Sequence, residues 1–172
     1  MNIKSILLPV DFSHSSDAAL SFASSLAADS DAHLYIVHVG EDSAAYLAGY
    51  GGFAYTPDLS EKIAQENRES LEKINPTVAG LNYEHRYLNG NPAEEILEFA
   101  EQENVDMIVI GSHGRTGLSR LLLGSIAEAV VRGAKCPVLT VKQPSALNTA
   151  AEEVKVPVQL EHPKPATKHS LH

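Results

Sequence analysis

The sequence predicts an α/β protein built on a parallel sheet with helices on both faces, and three observations predict it. Strand-like runs and helix-period segments alternate from the first residues to about residue 142. The runs Ile3–Val10 and Asp106–Gly111 are apolar on both faces, as strands covered from two sides must be. The helical segments open on residues that satisfy free backbone N–H groups: Ser13 and Ser15, Thr56-Pro57, and Asn91-Pro92-Ala93-Glu94.

Each element follows in turn. Ile3–Val10 is a buried strand that ends at Asp11. Ser13–Asp29 is a helix, with Ala18, Ala19, Phe22, Ala23, Leu26 and Ala27 at helical spacing and Asp17 in its first turn. Ala32–Val39 (A-H-L-Y-I-V-H-V) is a strand rich in β-formers, within which His38 is read as a packed or hydrogen-bonded core residue. Gly40–Thr56 is a long connection with three glycines beyond its first residue, of a length uncommon unless functional. A helix runs from Pro57 to about Ile74 and stops before Asn75-Pro76. Asn82–Leu88 alternates and reads as a more exposed strand. Asn91, Pro92 and Glu94 start a helix that carries Ile96, Leu97, Phe99 and Ala100 to about Glu103. Asp106–Gly111 is a buried strand, Ser125–Gly133 a helix, and Pro137–Lys142 a last strand.

Residues 143–172 differ in composition. They hold four of the nine prolines and three of the eight histidines, with no aromatic residue. Two units follow: a domain over residues 1–142 and a mostly irregular tail over 143–172, in which Val154–Leu160 can pair as a short edge strand limited by Pro157. The tail histidines are too dispersed for a metal site.

Composition narrows the function classes. Of 172 residues, 44% are hydrophobic and 20% charged, as in a soluble globular protein, and one domain of this length buries a real core. The net charge of −9 argues against a partner that is nucleic acid or an anionic membrane surface. No apolar run approaches the ~20 residues of a membrane span, and the N-terminal apolar stretch is short for a signal peptide. The single cysteine, Cys136, precludes an intrachain disulfide and reads as an inert thiol. The expected location is cytoplasmic.

The stretch that carries chemistry is G-S-H-G-R-T-G-L-S-R-L-L-L-G-S, from Gly111 to Ser125. Glycines let backbone N–H groups approach an anion, and the helix that follows presents the positive end of its dipole. A phosphate is the implied ligand. The spacing Gly111-x2-Gly114-x9-Gly124-Ser125 matches neither G-x-x-x-x-G-K-[ST] nor G-x-G-x-x-G. Structural alternatives stand beside this reading. Ser125 with Glu128 has the form of a capping box, Gly111 suits a strand-to-loop turn, and Asp11 can cap the first helix or pair with a lysine.

With I-L-L-P-V-D at the first strand, V-H-V at the second, V-D-M-I-V-I-G-S-H-G-R-T-G-L at the fourth, and then L-L-L-G-S-I-A-E-A-V-V and C-P-V-L-T-V, the chain resembles the universal stress protein family over about residues 1–142. That resemblance implies an open five-stranded parallel sheet of order 3-2-1-4-5, flavodoxin-like and similar to the adenine nucleotide alpha-hydrolases. Strands 1 and 4 then lie side by side where the winding reverses, the place where open α/β sheets bind ligands. The resemblance also implies an adenine nucleotide: ATP, with ADP or AMP as alternatives, and Mg2+ held through phosphate oxygens. Asp11 would face adenine or ribose beside the backbone of Pro9 and Val10, with Val39 lining the adenine pocket. Ile110, Gly111, Gly114, Gly124, Ser125 and Ile126 would contact ribose and phosphates. Arg115 and Arg120 flank the loop and can neutralise β- or γ-phosphates, the alternative being a solvated charge; Arg115 is counted with the nucleotide-binding residues.

The expected function is therefore an ATP-binding, dimeric stress-response or regulatory module with a regulated protein partner. The homodimer would pair through the last strand, Pro137–Lys142. A slow ATPase or adenylyl-transferring enzyme on the same fold is the first alternative, although Asp11-Phe12-Ser13-His14 lacks the S-G-G-x-D-S of the related hydrolases and ligases. A nucleotide-free dimeric module is the second. No catalytic residue is assigned; His113 lies mid-loop without a nameable partner.

Overall fold

A computed structural model describes residues 3–40, 57–112 and 123–142. Five strands, β1 (Ser5–Pro9), β2 (His33–Gly40), β3 (Tyr83–Asn89), β4 (Met107–Gly111) and β5 (Val138–Val141), form one sheet in the order β3-β2-β1-β4-β5. Every pairing is parallel. The helices are α1 (His14–Ser30), α2 (Pro57–Glu72), α3 (Pro92–Gln102) and α4 (Ser125–Gly133). This is the expected architecture and strand order. The second helix stops two residues earlier than Ile74, whose N–H donates to Leu71 O in a closing turn.

Alternation along the central strands divides the core in two. Ile6, Leu8, Val10, Leu34 and Ile36 face α1 and α2, where they pack with Ala19, Ala23, Ala27 and Leu71. Leu7, Val37, Val39, Ile108 and Ile110 face α3 and α4, against Ile96, Phe99, Ala100, Ala127 and Val130. Ala19, Ala23 and Ala27 recur every fourth residue and are fully buried, so α1 lies close on the sheet with only methyl groups between. The more exposed β3 is held at its margin by His85, whose Nε2 lies 2.7 Å from Ile74 O.

The helix starts use the chemistry that the sequence displays. Ser13 caps α1, and its hydroxyl accepts from Ser16 N–H. Ser15, the other candidate, is buried inside the first turn. Asn91 caps α3 by accepting from the N–H groups of Ala93 and Glu94, and Pro92 takes the first helical position. Pro57 likewise opens α2, while Thr56 lies outside the described residues.

At the amino end of the sheet Asp106 joins β1 to β4. Its Oδ2 accepts from the N–H groups of Lys4 at 2.7 Å and Ser5 at 3.0 Å, and from Ser5 Oγ at 3.2 Å. The Lys4 N–H, first among these, holds the carboxyl below its ordinary value against the opposing effect of burial. A folded value below the unfolded one stabilises the protein above the ordinary 3.8, and that stabilisation fades as the pH falls through the folded value. Asp106→Asn is therefore expected to lower the denaturant midpoint at neutral pH, with the gap to wild type narrowing as the pH drops below 3.8. A gap independent of pH in unfolding titrations would contradict this role.

Candidate functional site

The sheet winds in two directions from its centre: β1 leads through α1 to β2, and β4 through α4 to β5 on the other side. β1 and β4 are neighbours in the register Ile6↔Met107 and Leu7↔Ile108, which, carried on, brings Val10 level with Gly111. Their diverging exits leave a crevice beyond the carboxyl ends.

On the β1 side the chain turns at once. Val10 N–H makes a last bond to Val37 O at 2.8 Å, and Phe12 then adopts the left-handed region at φ 63°. Asp11 is held by serines. Its Oδ1 accepts from Ser13 N–H at 3.1 Å and from the hydroxyls of Ser13 and Ser16, while its own N–H donates to Ser16 Oγ at 3.0 Å. A carboxylate at this point faces the positive end of α1. Asp11 thus braces the start of α1, one of the roles open to it in the sequence. The side chain of Val10 packs in the cluster against α1.

On the β4 side, a Cβ on Gly111 would lie 2.7 Å from Ser15 Oγ and 3.0 Å from the Ser15 backbone. Gly111 is the last residue of β4 and has no positive φ, so close packing of α1, not a turn, requires the glycine. Ser112, buried, continues the sheet with its N–H on Val141 O at 2.8 Å. Its carbonyl then accepts from Gly124 N–H at 2.8 Å. That bond fixes the start of α4 beside the end of β4.

Two expectations change here. The N-cap of α4 is Gly124, not Ser125, and makes no side-chain capping bond. Ser125 is the first helical residue, and Glu128 forms an ion pair with Arg132 at 2.9 Å, so the capping box is not formed. The N–H of Gly124, a residue expected to contact ribose and phosphates, goes to Ser112 O. The N–H groups of Ser125 and Ile126 remain at a helix start whose cap residue offers them no side-chain acceptor.

Among the other candidates, Val39 and Ile110 are buried and belong to one cluster on the α3–α4 face, and Pro9 is buried at the end of β1. Ile126 is 38% exposed. Gly114, Arg115, Arg120 and His113 lie outside the described residues, as do the connection at 41–56 and the tail at 143–172. No group of three His, Cys, Asp or Glu side chains suited to a metal occurs among the described residues. No described helix is long and apolar enough to cross a membrane. Two surface recesses, of about 340 and 260 Å3, lie at the opposite, amino end of the sheet. The first includes Cys136, whose thiol burial pushes above its ordinary value.

Sequence reasoning missed Ser16, Ser112 and the conformation of Phe12. The D-x-S-x-x-S spacing of Asp11, Ser13 and Ser16 is a legible signal for the first, since both serines fall on the turn facing the carboxylate. Nothing local signals the others, which depend on partners distant in the chain.

A doubly wound parallel sheet, with a serine-braced carboxylate and a glycine-capped helix start flanking the winding reversal, defines an open α/β protein with a crevice at its switch point. Residues 2–142 match the model of the universal stress protein family, and the chain belongs to that family. It is similar to universal stress protein MJ0531 of Methanocaldococcus jannaschii, with 39% identity over 143 residues, covering 82% of this chain and 83% of that protein. Among solved structures it resembles MJ0577 of the same organism, with a TM-score of 0.72 and 30% identity over 85% of this chain and 100% of that one. It also resembles the universal stress protein of Archaeoglobus fulgidus in complex with dAMP, with a TM-score of 0.57 and 25% identity over 83% of this chain and 100% of that one.

Proposed function

We propose that this protein binds ATP in the crevice between β1 and β4 and acts as a cytoplasmic, homodimeric regulatory or stress-response module whose nucleotide occupancy biases a protein partner. The observation that carries this reading is the start of α4. A helix of nine residues begins beside the winding reversal, tied there by Gly124 N–H on Ser112 O, and its glycine cap leaves first-turn N–H groups for an anion. The Archaeoglobus relative in complex with dAMP supports an adenine nucleotide as the ligand.

In this reading the phosphates meet the N–H groups of Ser125 and Ile126 and the Ser125 hydroxyl, with Gly114 and Arg115 completing the loop. The ribose and base lie toward Asp11, the backbone of Pro9, Val10 and Gly111, and the apolar wall of Val39 and Ile110. Mg2+ is held by phosphate oxygens and water. The dimer forms through Pro137–Lys142: β5 has β4 as its one neighbour among the described residues, and a second copy would cover the other edge.

Calorimetric titration with ATP, ADP and AMP, with particle size followed by light scattering, tests both parts. Binding of at least one adenine nucleotide to a particle of twice the chain mass is expected. The reading fails on the absence of any binding, together with no adenine nucleotide released on denaturing the purified protein. A monomer that binds ATP would remove the dimer alone.

A further inference from the structure

We propose that His38 is a positioning residue for the crevice: its imidazole holds the Val10 carbonyl and so sets the Val10–Phe12 turn from which Asp11 projects. This role for ligand binding rests on the nucleotide reading above, while the positioning itself rests on geometry alone.

His38 is 4% exposed, on β2 among apolar neighbours. The β1–β2 pairing ends at Pro9↔Val37, one residue before Val10. Past that point the His38 Nδ1 lies 2.7 Å from Val10 O. A carbonyl can only accept, so Nδ1 carries the hydrogen. The same ring packs on Phe12, with centroids 4.3 Å apart and planes tilted by 35°. Phe12 is the residue in the left-handed region, a conformation that persists only where surrounding contacts hold it. One imidazole thus touches both ends of the turn, the carbonyl before Asp11 and the ring after it.

The imidazole is itself fixed from the far side. Tyr87 of β3 stands 5.9 Å from it, and the Arg68 guanidinium of α2 lies 4.7 Å over the Tyr87 ring. Room for Tyr87 is made by Gly40, where a Cβ would collide with the phenol oxygen. Compared with a phenyl ring in this place, the imidazole adds a donor aimed at the carbonyl that precedes Asp11.

Three variants of the full chain separate donor from ring. His38→Phe keeps a ring and removes the donor. His38→Asn removes the ring and keeps an amide N–H near the Nδ1 position, and His38→Gln moves that amide toward the Nε2 position, away from Val10 O. The readouts are ATP affinity by calorimetry and hydrogen exchange at the Asp11 amide, whose N–H donates to Ser16 Oγ. His38→Phe and His38→Gln are expected to weaken ATP about tenfold and to speed Asp11 exchange by a similar factor, while His38→Asn, which keeps the donor and loses the ring contact to Phe12, recovers part of both. A purely packing role would instead make Phe the mildest change. Wild-type exchange at Asp11 in a folded Phe or Gln variant overturns the proposal, as does an Asn variant no better than these two. If wild-type protein binds no nucleotide, the nucleotide reading falls, and Asp11 exchange alone decides the positioning role.

Discussion

Gly111→Val is expected to destabilise the fold by about 3 kcal/mol, the upper part of the range for overpacking a filled core, which for a chain of this length lowers the melting temperature by roughly 6–12 °C. The reason is a single close approach. A Cβ at Gly111 meets the Ser15 side chain at 2.7 Å and the Ser15 backbone at 3.0 Å, and backbone cannot rotate away as a side chain can. Relief requires α1 to withdraw from the sheet. That would open contacts of the buried Ala19, Ala23 and Ala27 stripe and disturb the Asp11, Ser13 and Ser16 bonds at the same helix start. Gly111→Ala is expected to do the same to a smaller extent. Ser15→Gly in the Gly111→Val background should recover only part of the loss, since the backbone contacts remain. Thermal unfolding by circular dichroism checks the series, and a Gly111→Val melt within about 2 °C of wild type, less than ~1 kcal/mol, would mean α1 is not seated as described.

Ser125→Pro is expected to weaken ATP binding by at least roughly 10–100-fold, the worth of the N–H alone as one charge-assisted hydrogen bond of about 1.5–3 kcal/mol, with little change in stability. Proline is well tolerated at the first position of a helix, where its missing N–H has no partner within the helix. The residue before it must be extended, and Gly124 already is, at φ −63° and ψ 150°. The substitution therefore removes two proposed phosphate donors, the N–H and the hydroxyl, while leaving α4 in place. Ser125→Ala serves as the control, because it deletes the hydroxyl and keeps the N–H; a smaller loss is expected. Equal affinity of a folded Ser125→Pro variant and wild type would place the phosphates away from the start of α4.

The contrast between these two glycine-linked predictions shows what the sequence conveys and what it leaves out. Gly111 and Gly124 look alike in the motif, two glycines framing a loop. In the fold they act differently: one makes room for α1, and the other caps α4 while its N–H bonds Ser112. Local chemistry was legible where the partner is local. Asn91-Pro92-Ala93-Glu94 reads as a helix start because the acceptor and its donors are two and three residues apart, and the fold uses it so. Ser125-x-x-Glu128 has the same outward form, yet the helix begins one residue earlier than a capping box there needs. The bond from Gly124 N–H to Ser112 O, twelve positions back, goes with that start.

By itself the sequence determined the alternation of strand and helix, the two-sided burial of the central strands, the family, and the segments that meet at the winding reversal. These follow from hydrophobic period and from residue types whose preferences act over a few bonds. Only the tertiary structure decided why Gly111 must lack a side chain, which N–H groups at α4 have partners, and that His38 reaches the Val10 carbonyl across 28 residues of chain. Such contacts depend on how closely packed elements approach and on hydrogen bonds that a few tenths of an ångström make or break. No periodicity along the chain encodes that distance.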